Sequence, residues 1–165
     1  MMRWKLAVAW VALQVLFFVG WAATEQRRQV TGMSILVRTA PVDPRDLLRG
    51  QYMALSYEFS RLQSFTDAGR SPEEGEDVWI VLRPDGEYHT PTPQVTSERP
   101  VPVPPGHVAV LGRRQGWRLL FGVEEYFVQE GTETPPQKDT TVRLRVGKDG
   151  RLRIESVLVQ GRPWP

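Results

Sequence analysis

Thr141 to Val159 reads TVRLRVGKDGRLRIESVLV. Val142, Leu144 and Val146 alternate with Arg143 and Arg145, and Leu152 and Ile154 alternate with Arg151, Arg153 and Glu155. A period of two places successive side chains on opposite faces of an extended chain, so each half is a strand with one buried and one charged face. Between them Lys148, Asp149 and Gly150 supply a turn, and the pair is therefore a β-hairpin. The same grammar extends backwards through the chain. Short β-branched runs separated by Gly, Pro and Asp clusters mark strands at Ser34 to Thr39, Tyr52 to Phe59, Val78 to Leu82, His107 to Gly112 and Trp117 to Gly122, ahead of Thr141 to Val146 and Arg151 to Val159. That pattern predicts a mainly β fold, a small antiparallel β-barrel or β-sandwich, over residues 33-165.

The first 32 residues follow a different rule. Leu6 to Ala23, LAVAWVALQVLFFVGWAA, holds eighteen residues with Gln14 as the one strongly polar side chain. As a helix at ~1.5 Å per residue it measures roughly 27 Å, close to the ~30 Å hydrocarbon thickness of a bilayer. Trp4 and Trp21 lie near its ends, where amphipathic rings favour the interface, and Arg3 with Lys5 form a basic flank. A single-pass anchor through residues 6-23 is expected, with the amino terminus cytoplasmic and the β domain extracytoplasmic at the cell membrane. A cleaved secretory signal is the competing expectation. Its apolar region is typically ~7 to 15 residues, and Trp21 interrupts the small residues Gly20, Ala22 and Ala23 that would form the cleavage site.

Composition narrows the function classes. The 165 residues are 24% charged and 41% hydrophobic, a globular balance with room for one core. With no cysteine there is no disulfide framework, thiolate metal site or cysteine nucleophile. Of 21 basic and 19 acidic residues, Arg3, Lys5, Arg27, Arg28 and Glu25 fall in the first 29 positions, leaving 17 basic against 18 acidic in the rest. A nucleic-acid binder needs its positive excess on the folded domain, so no nucleic-acid partner is expected.

Two stretches read as loops. Asp67 to Glu76 is polar and turn-rich, and Pro91 to Gly106 carries prolines at 91, 93, 100, 102, 104 and 105. Proline lacks the donor that a central strand needs, which assigns the second stretch to an edge or a surface crossover. Pro100 to Pro105, PVPVPP, is short for a proline-motif ligand.

One further stretch, PVDPRDLLRGQYMALSY from Pro41 to Tyr57, concentrates unusual letters. Asp43 before Pro44 and Asp46 three residues on make a helix-start signature, and Gly50 suits the end of a single helical turn. In the strand that follows, Met53, Leu55, Tyr57 and Phe59 share the core face, while Tyr52, Ala54, Ser56 and Glu58 share the other. Gly50, Tyr52, Leu55 and Tyr57 fit the spacing of the GDYXXLXY motif, and the chain resembles the family of small membrane-anchored bacterial proteins named for it. TAPVDPRDLLRG, Thr39 to Gly50, is similar to that family's lead-in, and FGVEEYFVQEGT, Phe121 to Thr132, to its second block. Gln51 stands where the family has aspartate, so an ionic role for that carboxylate would be lost here. The resemblance implies an anchored β domain, encoded beside multi-span membrane proteins, and no particular activity.

The chemistry-bearing residues give a surface rather than a reaction. Asp43, Arg45, Asp46, Arg49, Gly50, Gln51, Tyr52, Leu55 and Tyr57, with Glu124, Tyr126 and Phe127 beside them, form the expected motif or interaction surface. Glu124 is expected to reach Arg45 or Arg49 as an ion pair pinning two loops, if the second block packs beside the motif strand. The turn-then-strand shape resembles the region near the catalytic serine of type I signal peptidases. However, residues 40-55 hold no serine, and Lys138 and Lys148 lie in polar turns. His89 and His107 have no ligand-type residue at i,i+2 or i,i+4, so no metal is expected, and no phosphate-binding glycine loop or other cofactor motif is present. The expectation is a noncatalytic membrane-tethered envelope protein that binds or supports an integral membrane partner. The alternative is a hydrolase or ligand-binding enzyme using Glu124 with Asp43 or Asp46.

Overall fold

The computed structural model describes residues 2-30, 32-40, 52-61, 71-129, 132 and 135-164. The chain divides into two compact units, residues 1-32 and 33-165. The first holds one helix, α1, Met2–Val30. Its described apolar side chains, among them Trp10, Leu13, Leu16 and Phe17, are exposed. Among the described residues no helix is long and apolar enough to cross a membrane; the side chains of Leu6, Ala7, Ala9 and Ala23, four positions of the apolar window, lie outside them.

The second unit is antiparallel β. Its strands are β1 Met33–Arg38, β2 Tyr52–Ala54, β3 Asp77–Asp85, β4 Tyr88–Thr96, β5 Val108–Gln115, β6 Arg118–Leu120, β7 Glu125–Phe127, β8 Thr140–Val146, β9 Leu152–Val159 and β10 Arg162–Trp164. They form a four-stranded sheet β1-β8-β9-β10, a four-stranded sheet β4-β3-β5-β6 and a two-stranded ribbon β2-β7. Single bridges carry the pairing onward, Thr39 to Tyr57 and Arg61 to Arg118, so β1 is connected through the motif segment to β6. The result includes a curled, half-barrel sheet.

The alternation read from sequence is the alternation that packs. In β8 the residues Val142, Leu144 and Val146 are buried while Arg143 is exposed, and β9 places Leu152 and Val157 in the same core. Ile35 and Val37 of β1, Val78, Ile80 and Leu82 of β3, Val108 and Val110 of β5 and Leu119 of β6 complete one shared cluster. Burying one such aliphatic side chain stabilises the fold by roughly 1.5–3 kcal/mol. A single core is what two half-apolar sheets require.

Three expectations need correction. The strand expected from Tyr52 to Phe59 ends at Ala54, because the Leu55 N–H donates to the Glu124 carbonyl (2.7 Å) and the chain then turns through a 3-10 turn at Glu58–Ser60. Met53, Leu55, Tyr57 and Phe59 are nonetheless all buried, as expected, although Ser56 is buried too. The stretch from Pro91 is not all loop: residues up to Thr96 belong to β4. Among the described residues β4 pairs with β3 alone, Leu82 lies opposite Pro91, and the register shifts between Ile80 and Leu82. An edge position and a bulge are where missing amide donors are tolerated, so the edge expectation holds. Finally, β7 and β10 are three residues each and lie outside every run identified by alternation.

Candidate functional site

The motif strand and the second block meet, and backbone chemistry explains how. Gly122 adopts φ +77, a left-handed conformation favoured by glycine, which reverses the chain after Phe121. Glu124 then folds back so that its Oε1 accepts the Phe121 N–H at 2.6 Å. That closed turn presents two carbonyls to the motif. The Glu124 carbonyl takes the Leu55 N–H, and the Val123 carbonyl takes the Tyr57 hydroxyl at 2.5 Å. From Tyr52 to Ala54 the strand pairs with β7, Tyr52 opposite Phe127, Met53 opposite Tyr126 and Ala54 opposite Glu125.

The motif positions therefore do different jobs. Leu55 and Tyr57 are buried ties to the turn. Tyr57 also stacks on Phe59 with ring centroids 5.1 Å apart, and Phe59 meets Phe121 edge-on at 5.0 Å. Tyr52 faces the other way, as alternation predicts: it is 37% exposed and its ring lies 4.1 Å from that of Phe127, which is 67% exposed. Tyr126 is half-buried with its ring 6.2 Å from that of Trp164. An exposed aromatic pair thus sits on a ribbon whose inner face is fastened to the core.

Burial, and after it the negative charge of Glu124, pushes the Tyr57 hydroxyl far above its ordinary value near 10. A folded-state pKa raised above the unfolded value leaves stability untouched below the unfolded value and removes it above, because only the unfolded chain then releases the proton. Stability is therefore expected to fall above pH ~10 by about 1 kcal/mol per pH unit from this group. Tyr57→Phe should cost about 1–2 kcal/mol at neutral pH, leaving the Val123 carbonyl unpaired, and should flatten the alkaline decline. Thermal melts of both chains between pH 8 and 11.5 check this; parallel alkaline slopes would contradict it.

Glu124 is engaged inside its own turn, and the partners expected for it, Arg45 and Arg49, lie outside the described residues, as do Asp43, Asp46, Gly50 and Gln51. The histidines approach the same short segment although 18 residues separate them: His89 Nε2 lies 3.3 Å from the Gly106 carbonyl and His107 Nδ1 lies 3.2 Å from the Pro105 carbonyl. Among the described residues no group of three or more His, Asp or Glu could hold a metal ion.

A groove that sequence reasoning did not identify lies over the outer face of β1 and β8. It encloses about 630 Å³ and is lined by Leu36, Arg38, Glu58, Tyr88, Arg143 and Leu158, among others. The Arg38 guanidinium lies 4.3 Å from the centre of the Tyr88 ring, joining β1 to β4. Alternation marks Arg143 as outward; that the β3-β4 turn comes beside it is a tertiary fact with no local signal.

No curated protein and no solved structure matches the chain. The family model described as GDYXXLXY protein matches residues 14–157. That span includes the motif strand, the turn that fastens it and the closing hairpin, and the chain belongs to the GDYXXLXY protein family.

Proposed function

We propose that the protein is a noncatalytic, membrane-tethered module whose β domain docks on an integral membrane partner through the Tyr52–Phe127 face. The observation that carries this reading is the exposure of two rings in contact, tilted 48° to one another, on a ribbon braced from behind by the Leu55 and Tyr57 bonds. Tyr and Phe supply large contact area with little side-chain entropy to lose, and a rigid backing spares the ordering cost of binding. Support for the tether is the apolar window from Leu6 to Ala23 and the exposed apolar side chains of α1, which need an apolar surrounding. The bacterial source and the extracytoplasmic placement of the domain are part of the proposal, drawn from the family resemblance and the basic leading segment.

Crosslinking of the full chain in membranes, comparing wild type with Tyr52→Ser/Phe127→Ser, tests it. Both side chains are exposed, so the variant keeps its fold. Capture of one multi-span membrane protein by the wild type, reduced on the order of tenfold or more in the variant, is the expected result. Equal capture by both chains would remove the aromatic face from the reading.

A further inference from the structure

One leucine is buried on the face turned away from the core. Ile35, Val37, Val142, Leu144 and Val157 point into the shared core, and the residues that alternate with them, Leu36, Arg38, Thr141, Arg143 and Leu158, point outward. Leu158 is nonetheless only 6% exposed, and it takes no part in the core cluster. With the half-buried Leu36 it gives the groove of about 630 Å³ an apolar floor, and that volume is in the range of small-ligand sites. One wall is fixed by backbone bonds: the Asp139 N–H donates to the Pro136 carbonyl (3.1 Å), and the Asp139 carbonyl accepts the Gln160 N–H (2.9 Å). Gln160 and Gly161, both at positive φ, form the two-residue turn between β9 and β10 that presents this donor. On another side Tyr88 is held against β1 by the Arg38 guanidinium. The groove is therefore built into the fold before any ligand arrives.

Its charges are of both signs, and the register orders them. Arg143 lies opposite Leu36, and Arg38 lies opposite Thr141, one two-residue step of about 7 Å further along the strands. The carboxylates come at or beyond that step. Asp139 immediately precedes β8, Glu58 follows Tyr57, which bridges Thr39, and Glu87 precedes Tyr88, on whose ring Arg38 rests. Arg38 and Lys138 are set among these three acids, so this end of the groove carries 2 − 3 = −1, while Arg143 makes the other end positive. Glu58, Glu87 and Arg143 are exposed, and among the described residues they form no ion pair. The nearby Glu155 is bonded to the Ser34 hydroxyl and to Arg145, with Arg143 contributing charge but no bond.

We infer that the groove over β1 and β8 binds a short zwitterionic peptide, with its carboxylate on Arg143, its ammonium among Glu58, Glu87 and Asp139, and an apolar side chain on Leu36 and Leu158. Two to three extended residues span about 7–10 Å, which matches the step between the two ends. Guanidinium offers a carboxylate paired donors in a planar fork, and the ammonium brings three donors to acceptor-only groups. A ligand of one sign would bring like charge against one end of the groove, which selects a ligand carrying both. Tyr52 and Phe127 are not among the lining residues, so the site is separate from the aromatic face.

Calorimetric titration of the full chain in detergent micelles tests this, using the tripeptide Ala-Leu-Ala with both ends uncapped, with its amino end acetylated, and with its carboxyl end amidated. Expected is saturable binding of the uncapped peptide, weakened about fivefold by either cap. Arg143→Gln should weaken the uncapped peptide as much as amidation does and leave the amidated peptide unaffected, because the two changes remove the same contact. Glu58→Gln/Glu87→Gln should stand in the same relation to acetylation. All three side chains are exposed, so the variants keep the fold. Absence of saturable binding by the uncapped peptide, or equal affinity for the capped forms, overturns the inference. So do capping effects that persist undiminished in the variants, since they would place the peptide elsewhere.

Discussion

Phe59→Ala is expected to cost about 3–5 kcal/mol, the range for deleting a fully buried aromatic side chain. Phe59 is 1% exposed and occupies the centre of a three-ring arrangement, nearly parallel to Tyr57 (12° between planes) and edge-on to Phe121 (74°). Such pairs contribute beyond their buried area, because offset and edge-on rings align opposite ends of their quadrupoles. The three rings come from the motif segment and from the start of the second block, so the cavity opens where these parts are fastened together. A domain with ~5–15 kcal/mol of total stability would be left marginal. Denaturant unfolding of the full chain measures the loss, with Glu58→Ala as the exposed neighbour expected to shift stability by less than ~0.5 kcal/mol. A loss below about 1.5 kcal/mol for Phe59→Ala would mean that the rings repack and that the motif segment is not a keystone of the core.

Gly150→Ala is expected to cost about 2–5 kcal/mol, unusually much for a turn residue, because two penalties add. Gly150 has φ +78, a conformation that costs a side-chain-bearing residue about 1–2 kcal/mol. A Cβ there would also meet the Trp79 ring within contact distance and come 3.3 Å from the Leu111 nitrogen, whose N–H donates to the Gly150 carbonyl at 2.9 Å. Overpacking against a held ring costs about 1–3 kcal/mol. Trp79 is hemmed in on another side by Arg99, whose guanidinium carbon is 5.3 Å from the ring centre. Gly116→Ala separates the penalties: φ is +59 there, and nothing stands within 4 Å of the added carbon. It should lose only the conformational part, about 1–2 kcal/mol. Equal losses at the two glycines in urea titrations would show that Trp79 yields freely. A larger loss at Gly150 that Trp79→Ala relieves in the double variant would identify the ring as the obstacle.

These two positions show what was legible in advance. Glycine after Lys-Asp reads as a turn, and alternation put Phe59 on the core face with Tyr57. Neither signal names the partner, since Trp79 is 71 residues from Gly150 and Phe121 is 62 from Phe59. Strand count was underestimated for a related reason. β7 and β10 are three residues long, too short for a period to register, and they are defined by the strands they join. Pro91 and Pro93 masked β4 because proline argues against a strand unless the strand is known to be an edge, which only the sheet order reveals. Within the candidate site, alternation alone puts Tyr52 on the face opposite Tyr57, whereas the turn that Glu124 closes has no signal in the sequence pattern. The arginines expected to pair with it lie outside the described residues, and the fold gives its Oε1 the Phe121 amide three residues back.

By itself the sequence determined the antiparallel β class, the identity of most core residues and the family motif. Each of these rests on short-range periodicity or on local composition, which do not depend on where distant segments go. Tertiary structure alone decided that the motif strand breaks after Ala54, that Leu55 and Tyr57 are tied to the Val123–Glu124 turn, and that Tyr52 and Phe127 become a surface pair. It also decided that Arg143 and Arg145 of the closing hairpin lie opposite Leu36 and Ser34 of β1. Those are pairings between residues far apart in the chain. Their energy comes from desolvation and hydrogen bonding across the fold, terms that no window of neighbouring residues contains.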